Sequence, residues 1–302
     1  MRLHGIGIGN KELFSLAQAL HHNGYEISGS DEHIPEIRRT EMEEQGWEAG
    51  PDGWFPERIT SDLDGVILGA GTGPENPELL SAKEKGIKVY SCSGFLYEYS
   101  RYKTRVVIAG NYGRTSIASV IMQVMDYHDK GLDYVIESGP EDLKNRVCLT
   151  NDNEFILITG DESPSSGAEP SPKFHNYLPN IALLSGIATD TTEDPSEEER
   201  LAKYRVFVDS IVKGGIAVYN EEDGEVKAIV EASENPIRKH PYRLPEYEES
   251  NGEILLETPE GAMPLNISDK QMLFHLAGAK WICQHMGIDE DDFYEALAVF
   301  AG

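Results

Sequence analysis

The chain has 302 residues, enough for two domains that each bury a core, and its 39% hydrophobic and 26% charged content is that of an ordinary folded protein. Its 53 acidic against 26 basic side chains leave a formal net charge of -27, which repels polyanions and argues against nucleic acid and anionic membrane as partners, though not against one small anionic ligand held by local loops and helix ends. Cys92, Cys148 and Cys283 lie far apart with no Cys-x-x-Cys or Cys/His metal pattern, Met1-Arg2-Leu3-His4 runs straight into a strand, and no apolar run approaches the ~18–20 residues of a membrane span, so a cytoplasmic protein is expected.

Leu3 to Ile8 reads as a short buried strand, with Gly5, Gly7 and Gly9 set between apolar residues. A helix is expected from about Lys11 to His22, where Leu13, Leu16, Ala17 and Leu20 recur at helical spacing, and Asn23-Gly24 stops it. Tyr25 to Ser28 is the next strand and ends at Gly29-Ser30-Asp31. Strand, glycine turn, helix, strand and acid make up the mononucleotide-binding half of a doubly wound sheet. Glycines let a backbone approach a pyrophosphate, and Asp31, 24 residues beyond Gly7, is placed to bond a ribose or a base. Because Gly7-Ile8-Gly9 runs on into Asn10-Lys11-Glu12, the G-x-G-x-x-G pattern is incomplete. A tight turn without a ligand is one competing reading. A nicotinamide site is another, with no catalytic His/Arg pair to support it. Further strands are expected at Gly65–Leu68 and Lys88–Tyr90, and helices at Pro77 to about Lys85, capped by Asn76, and at Gly94–Arg101. The alternation predicts a small α/β domain with a parallel sheet over residues 1–103.

A second domain is expected over 104–302. Arg105–Ala109 is an apolar strand, Gly110-Asn111-Tyr112-Gly113 a glycine-bracketed turn, and a helical pattern runs from Ser116 to Tyr127. Gly110, Asn111, Gly113, Arg114, Thr115 and Ser116 therefore have the layout of a phosphate-binding loop, with Arg114 where such loops carry lysine. Strands are expected at Tyr134–Glu137, Arg146–Leu149, Phe155–Thr159, Ile181–Leu184 and Ile216–Tyr219, with a loop rich in Ser, Pro and Gly after Gly160. Helices are expected at Glu197–Val212, Lys270–Met286 and Asp289–Phe300, and short antiparallel strands over 240–267.

In order along the chain, these stretches resemble the Mur ligase family. The resemblance is carried by His4-Gly5-Ile6-Gly7-Ile8-Gly9, Ser28-Gly29-Ser30-Asp31, Asn76-Pro77-Glu78-Leu79, Gly110-x-x-Gly113-Arg114-Thr115, Gly160-Asp161-Glu162, Pro172-Lys173-Phe174-His175-x-Tyr177 and Leu276-Ala277-Gly278-Ala279-Lys280. The nearest branch is the one that ligates the tripeptide L-alanyl-γ-D-glutamyl-meso-diaminopimelate to UDP-N-acetylmuramate in peptidoglycan recycling. The resemblance implies a Rossmann-like domain for the UDP-sugar, with Gly7, Gly9, Asn10, Ser30, Asp31 and Asn76 on that ligand. It implies a central P-loop-type domain with a small antiparallel portion for ATP and Mg²⁺, with Thr115, Asp161 and Glu162 on the metal side. Lys173, His175 and Tyr177 are implied on the muramyl or peptide side. Such ligases phosphorylate the muramyl carboxylate and let an amine displace the phosphate, and a third domain brings the amine. This chain ends where that third domain would begin, so it is expected to lack it.

The departures from the family pattern cluster on the ATP chemistry. Arg114 replaces the loop lysine, and a planar fork is not a compact ammonium. Thr159 replaces a glutamate that faces Mg²⁺, and a hydroxyl is a poor substitute on a hard cation. Thr191 replaces a histidine beside the metal and phosphate, and Asp269, Gln271, Met272 and His275 stand in a span that holds the nucleotide. The expectation is a protein that binds a UDP-N-acetylmuramyl ligand, and possible protein partners or a second copy, without ligase turnover. ATP and Mg²⁺ are then family cofactors not assured here. The alternative is an active ATP-dependent amide ligase lacking its third domain. His275 itself, beside Phe274, reads as a packed histidine.

Overall fold

The structure is a computed structural model that describes residues 1–47, 50–136, 146–187, 197–250, 253–267 and 269–300. The chain forms two compact units, one of Met1–Arg101, Asn145–Asp152 and Glu162–Tyr177, the other of Tyr102–Lys144, Asn153–Asp161 and Leu178–Gly302. The chain thus leaves the first unit at Arg101 and returns to it twice.

The first unit begins β1 (Arg2–Ile6), α1 (Lys11–His22), β2 (Glu26–Ser30), α2 (Glu36–Glu44), β3 (Gly65–Leu68), α3 (Pro77–Glu84), β4 (Val89–Ser91) and α4 (Cys92–Tyr99). Its four-stranded sheet runs in the order β2-β1-β3-β4, and every pairing is parallel. Burial of Leu13, Leu16, Ala17 and Leu20 along one stripe of α1 follows the spacing in the sequence. Each such large apolar side chain contributes about 1.5–3 kcal/mol when fully removed from water. Asn76 caps α3 as expected, accepting from Glu78 N–H at 2.9 Å and Leu79 N–H at 3.1 Å. Helix α2 has no counterpart in the sequence reading because its only buried residue is Met42, so it carries almost no apolar period.

The second unit begins with β5 (Thr104–Ala109), α5 (Arg114–Tyr127) and β6 (Asp133–Val135). The chain then gives β7 (Val147–Cys148), β8 (Phe155–Gly160), β9 (Pro164–Ser166), β10 (Glu169–Pro172), β11 (Ile181–Leu184), α6 (Glu197–Ser210), β12 (Ile216–Asn220), α7 (Gly224–Ala232) and β13 (Arg238–Tyr242). It closes with β14 (Tyr247–Ser250), β15 (Glu253–Thr258), β16 (Gly261–Leu265), α8 (Gln271–His285) and α9 (Glu290–Phe300). The main sheet of this unit takes its strands in the order β13-β12-β11-β5-β8-β6, with parallel pairings throughout. Helix α5 buries Ile117, Ala118, Val120, Ile121, Val124 and Met125, and α8 buries Leu273, Leu276, Ala279, Ile282 and Cys283 into the same core.

Two expectations need correction. The antiparallel portion is narrower than 240–267: β14-β15-β16 form it, whereas β13 pairs in parallel with β12 at the edge of the main sheet. The stretch after Gly160, expected as a loop, contains the antiparallel hairpin β9–β10, which belongs to the first unit. Its strands are three and four residues of Ser, Pro and Glu, too short and polar to show alternation. Among the described residues, no helix is long and apolar enough to cross a membrane.

Candidate functional site

In each unit the sheet order reverses direction at one strand, and ligands of open α/β sheets bind outside the carboxyl ends of the strands at such a point. In the first unit the reversal lies between β1 and β3. There Gly7, at φ +85°, lets the chain turn at the end of β1. Gly7 N–H and Ile8 N–H both donate to the Ser30 carbonyl, at 2.8 and 3.1 Å. Asp31 braces the turn: its Oδ2 accepts from Gly9 N–H at 2.9 Å and its Oδ1 from His33 N–H at 3.2 Å. Asn10 caps α1, accepting from Glu12 N–H at 3.1 Å and Leu13 N–H at 3.2 Å. From the end of β3, Thr72 Oγ1 donates to the Ile6 carbonyl at 3.0 Å.

The structure therefore brings Gly7, Gly9, Asn10, Ser30 and Asp31 together at one turn, and sets Asn76 at the start of α3. In this turn several of the donors an anion would use are satisfied from within. Asn10→Ala is expected to lower stability by about 0.5–2 kcal/mol through loss of the cap, measured by urea unfolding. It should also release the Glu12 and Leu13 N–H groups to an anion, so diphosphate affinity should not fall in step with stability.

A network that the sequence did not reveal underlies this turn. His4 is buried, with Nδ1 2.8 Å from Ser28 Oγ and Nε2 3.3 Å from both Ser30 Oγ and Glu78 Oε2. The other carboxylate oxygen of Glu78 accepts from Phe55 N–H at 2.6 Å. Burial alone pushes the Glu78 carboxyl up, but the hydrogen bonds from His4 and Phe55 outweigh it and hold the group below its ordinary value. Only the separation of His4 and Glu78, 74 residues apart, concealed the pair.

The implied muramyl-side residues also lie in the first unit. Lys173 Nζ pairs with Glu12 Oε2 at 2.7 Å, and the Lys173 N–H donates to the Ser163 carbonyl at 3.0 Å. His175 is half-buried with its ring against Phe174, whereas Phe174 and Tyr177 are buried in the core. Beside them Asn176 Nδ2 reaches Ser93, Ser165 and Glu169 at 3.0–3.2 Å.

In the second unit the reversal falls at β5, flanked by β8 and β11. The loop leaves β5 at Gly110, and α5 starts after Gly113, which is left-handed at φ +79°. Asn111 N–H donates to the Gly186 carbonyl at 2.9 Å, and Ser185 Oγ bonds the carbonyls of Ala109 and Tyr112. Strand and glycine turn follow the sequence expectation, whereas α5 starts at Arg114, two residues before the expected Ser116, so that Thr115 and Ser116 are half-buried in its first turn. Arg114 does not reach forward from this turn. Its Nη1 donates to the Gly160 carbonyl at 2.6 Å and lies 3.8 Å from Asp161 Oδ2. Tyr112 Oη is 3.4 Å from Asp223 Oδ2, which also accepts from Ile187 N–H at 2.9 Å. Asp223 caps α7 as well, and the sequence offered a sign of it, Asp-Gly-Glu ahead of an apolar run, that the reading passed over.

His275 is packed, as expected, at 9% exposure, but among the described residues neither of its ring nitrogens has a hydrogen-bond partner. Burial lowers its pKa against the opposing charge of Asp269. It lies against the loop: a Cβ built on Gly113 would come within 2.5 Å of His275 Nε2. Asp269 Oδ1 accepts from Gln271 N–H at 2.9 Å at the start of α8.

Mg²⁺ is usually held by one or two protein carboxylates together with substrate phosphates and waters. Thr159 is buried at 1% exposure, the Gly160 carbonyl and Asp161 face a guanidinium, and Glu162 falls in the other unit. No group of three or more His, Cys, Asp or Glu among the described residues could hold a metal. Thr191 lies outside the described residues.

Residues 2–104 match a profile described as the Mur ligase family, catalytic domain. The chain is 26% identical, over its whole length, to 66% of the UDP-N-acetylmuramate–L-alanine ligase of Carboxydothermus hydrogenoformans. It is 24% identical, again over its whole length, to 65% of the same-named ligase of Dictyoglomus turgidum. It thus spans about two thirds of the length of these curated relatives. Among solved structures, the UDP-N-acetylmuramate:L-alanyl-gamma-D-glutamyl-meso-diaminopimelate ligase from Neisseria meningitides superposes with a TM-score of 0.82 at 19% identity, covering 100% of this chain and 98% of that one. The UDP-N-acetylmuramate–alanine ligase from Thermotoga maritima superposes with a TM-score of 0.70 at 17% identity, covering 99% of this chain and 68% of that one.

Proposed function

This chain belongs to the Mur ligase family, and from that premise we propose that it is a cytoplasmic protein of peptidoglycan precursor synthesis or recycling that binds a UDP-N-acetylmuramyl ligand without turning over ATP. The first unit carries the binding half of this reading. Its turn sits at the reversal of the sheet, half-exposed, with Gly7 and Gly9 allowing close approach and Asp31 holding the turn in shape. The single observation that carries the inactive half is the docking of Arg114 on the Gly160 carbonyl and beside Asp161. A side chain spent on the end of β8 is not available to neutralise a phosphate. Thr159, buried and without a carboxylate, adds to the deficit, and each lost electrostatic stabiliser is worth about 2.7–4 kcal/mol of barrier by analogy with oxyanion-hole deletions.

An active ATP-dependent amide ligase is the second reading, favoured by the retained Gly110–Gly113 geometry and by Thr115 in the first turn of α5. The binding half is tested by calorimetric titration with UDP-N-acetylmuramate in the absence of ATP and Mg²⁺. Saturable heat that weakens at least tenfold in Asp31→Ala, about 1.4 kcal/mol, is the expected result. Silence at millimolar ligand contradicts the proposal.

A further inference from the structure

A phosphate loop is a nest of N–H groups that a lysine completes by reaching toward the anion. Here three side chains fill the neighbourhood of the nest from within the second unit. The Tyr112 ring lies over Gly186, where even a methyl group would collide with it, and its hydroxyl is turned to Asp223. The His275 ring lies against Gly113. Arg114 turns back to the end of β8, where its guanidinium meets the Gly160 carbonyl at 2.6 Å and stands 3.8 Å from Asp161 Oδ2.

The chemistry of that last contact matches a cation's needs. The carboxyl end of β8 presents a carbonyl oxygen and a carboxylate, two hard oxygen donors, to whatever lies beside the start of α5. A divalent cation would bond both and demand further oxygens. The Arg114 guanidinium brings a positive charge to both, donating a hydrogen bond to the carbonyl and standing as a longer ion pair beside the carboxylate. Both partners are half-buried, at 18% exposure for the Arg114 side chain and 26% for that of Asp161. A second cation brought to the same oxygens would have to displace the first.

We infer that Arg114 is a built-in cation that takes the place of the family's metal at the end of β8, so that the second unit is complete without Mg²⁺ or nucleotide. The inference rests on the reading that the loop no longer processes ATP, and adds what has filled the site. It makes removal of charge at position 114, not removal of metal, the perturbation to which the unit responds.

The test is thermal unfolding of the whole chain in EDTA, in Mg²⁺ and in Mn²⁺, for the unaltered protein and for Arg114→Gln and Arg114→Lys. The unaltered protein should melt at one temperature in all three conditions. Arg114→Gln should melt several degrees lower in EDTA and recover part of the loss in Mn²⁺, because Asp161 and the Gly160 carbonyl are then open to a divalent cation. Arg114→Lys should lose less and stay indifferent to metal. An unchanged melting temperature for Arg114→Gln, a loss that no divalent cation reverses, or stabilisation of the unaltered protein by Mg²⁺ overturns the inference. Should Arg114→Gln fail to fold, Asp161→Asn removes the anion instead. A lower melting temperature without metal response is expected, and an unchanged one overturns the inference. These outcomes are separable from failure of the functional reading. An ATP-silent protein whose Arg114→Gln variant melts unchanged loses the built-in cation and keeps the inactive site, whereas saturable Mg·ATP binding removes both.

Discussion

His4→Leu should cost about 3–5 kcal/mol of stability at neutral pH, measured by urea unfolding, because it takes the imidazole partner away from the buried Glu78 carboxylate. The cost comes from the anion. Glu78 retains the Phe55 N–H at 2.6 Å, so the loss should fall short of that for an isolated buried charge. The dependence on pH has a definite sign. Glu78 is held below its ordinary value in the folded protein, so its contribution is present above the unfolded carboxyl pKa and is lost as pH falls through the folded one. In His4→Leu the carboxyl is instead pushed up by burial, and acid protonates it at little cost. The gap between the two proteins should therefore be widest at neutral pH and narrow on acidification. An equal gap at all pH values would show that the loss is one of packing and not of charge.

Gly113→Ala should destabilise the second unit by about 2–5 kcal/mol, the sum of a left-handed backbone penalty and overpacking. The backbone there is at φ +79°, which an L side chain rarely adopts. The added methyl would also lie 2.5 Å from His275 Nε2, and the ring is closed in by its own burial at 9% exposure. The two causes are separable by a double-mutant cycle with His275→Ala. The overpacking part should be recovered when the ring is removed, giving a coupling of about 1–3 kcal/mol, while the backbone part should persist. Additive effects would mean that the His275 ring does not bear on the loop.

Much of the scaffold was legible in the sequence because it rests on short-range rules. The stripe of Leu13, Leu16, Ala17 and Leu20 marks α1, and the apolar runs at Gly65–Leu68 and Ile181–Leu184 mark buried strands with the bounds found. Asn76 before Pro77 marks a helix start by hydrogen-bond chemistry alone. Helices α2 and α7 went unread for different reasons. The first has little apolar face, and the second is only nine residues long between two strands. The parallel pairing of β13 is a matter of which neighbour lies alongside, and Arg238-Lys239-His240-Pro241-Tyr242 contains nothing that names β12. The site divides in the same way. The glycines and the helix start at Gly110–Thr115 are a local pattern, whereas the fate of the Arg114 side chain depends on the end of a strand 46 residues away. Sequence could report that lysine was replaced. It could not report that the replacement turns its charge toward Gly160 and Asp161, or that His275 would be buried against Gly113 with neither ring nitrogen paired among the described residues.

The central claim is that the second unit keeps the shape of a phosphate loop and has given up the nucleotide. Its most direct measurement is a calorimetric titration of Mg·ATP into the unaltered protein, with UDP-N-acetylmuramate titrated into the same preparation as a measure of folded, competent protein. The account predicts saturable heat from the sugar nucleotide and none from Mg·ATP. Saturable binding of Mg·ATP with a stoichiometry near one would contradict it, and with it the assignment of Arg114 as the cation at the end of β8.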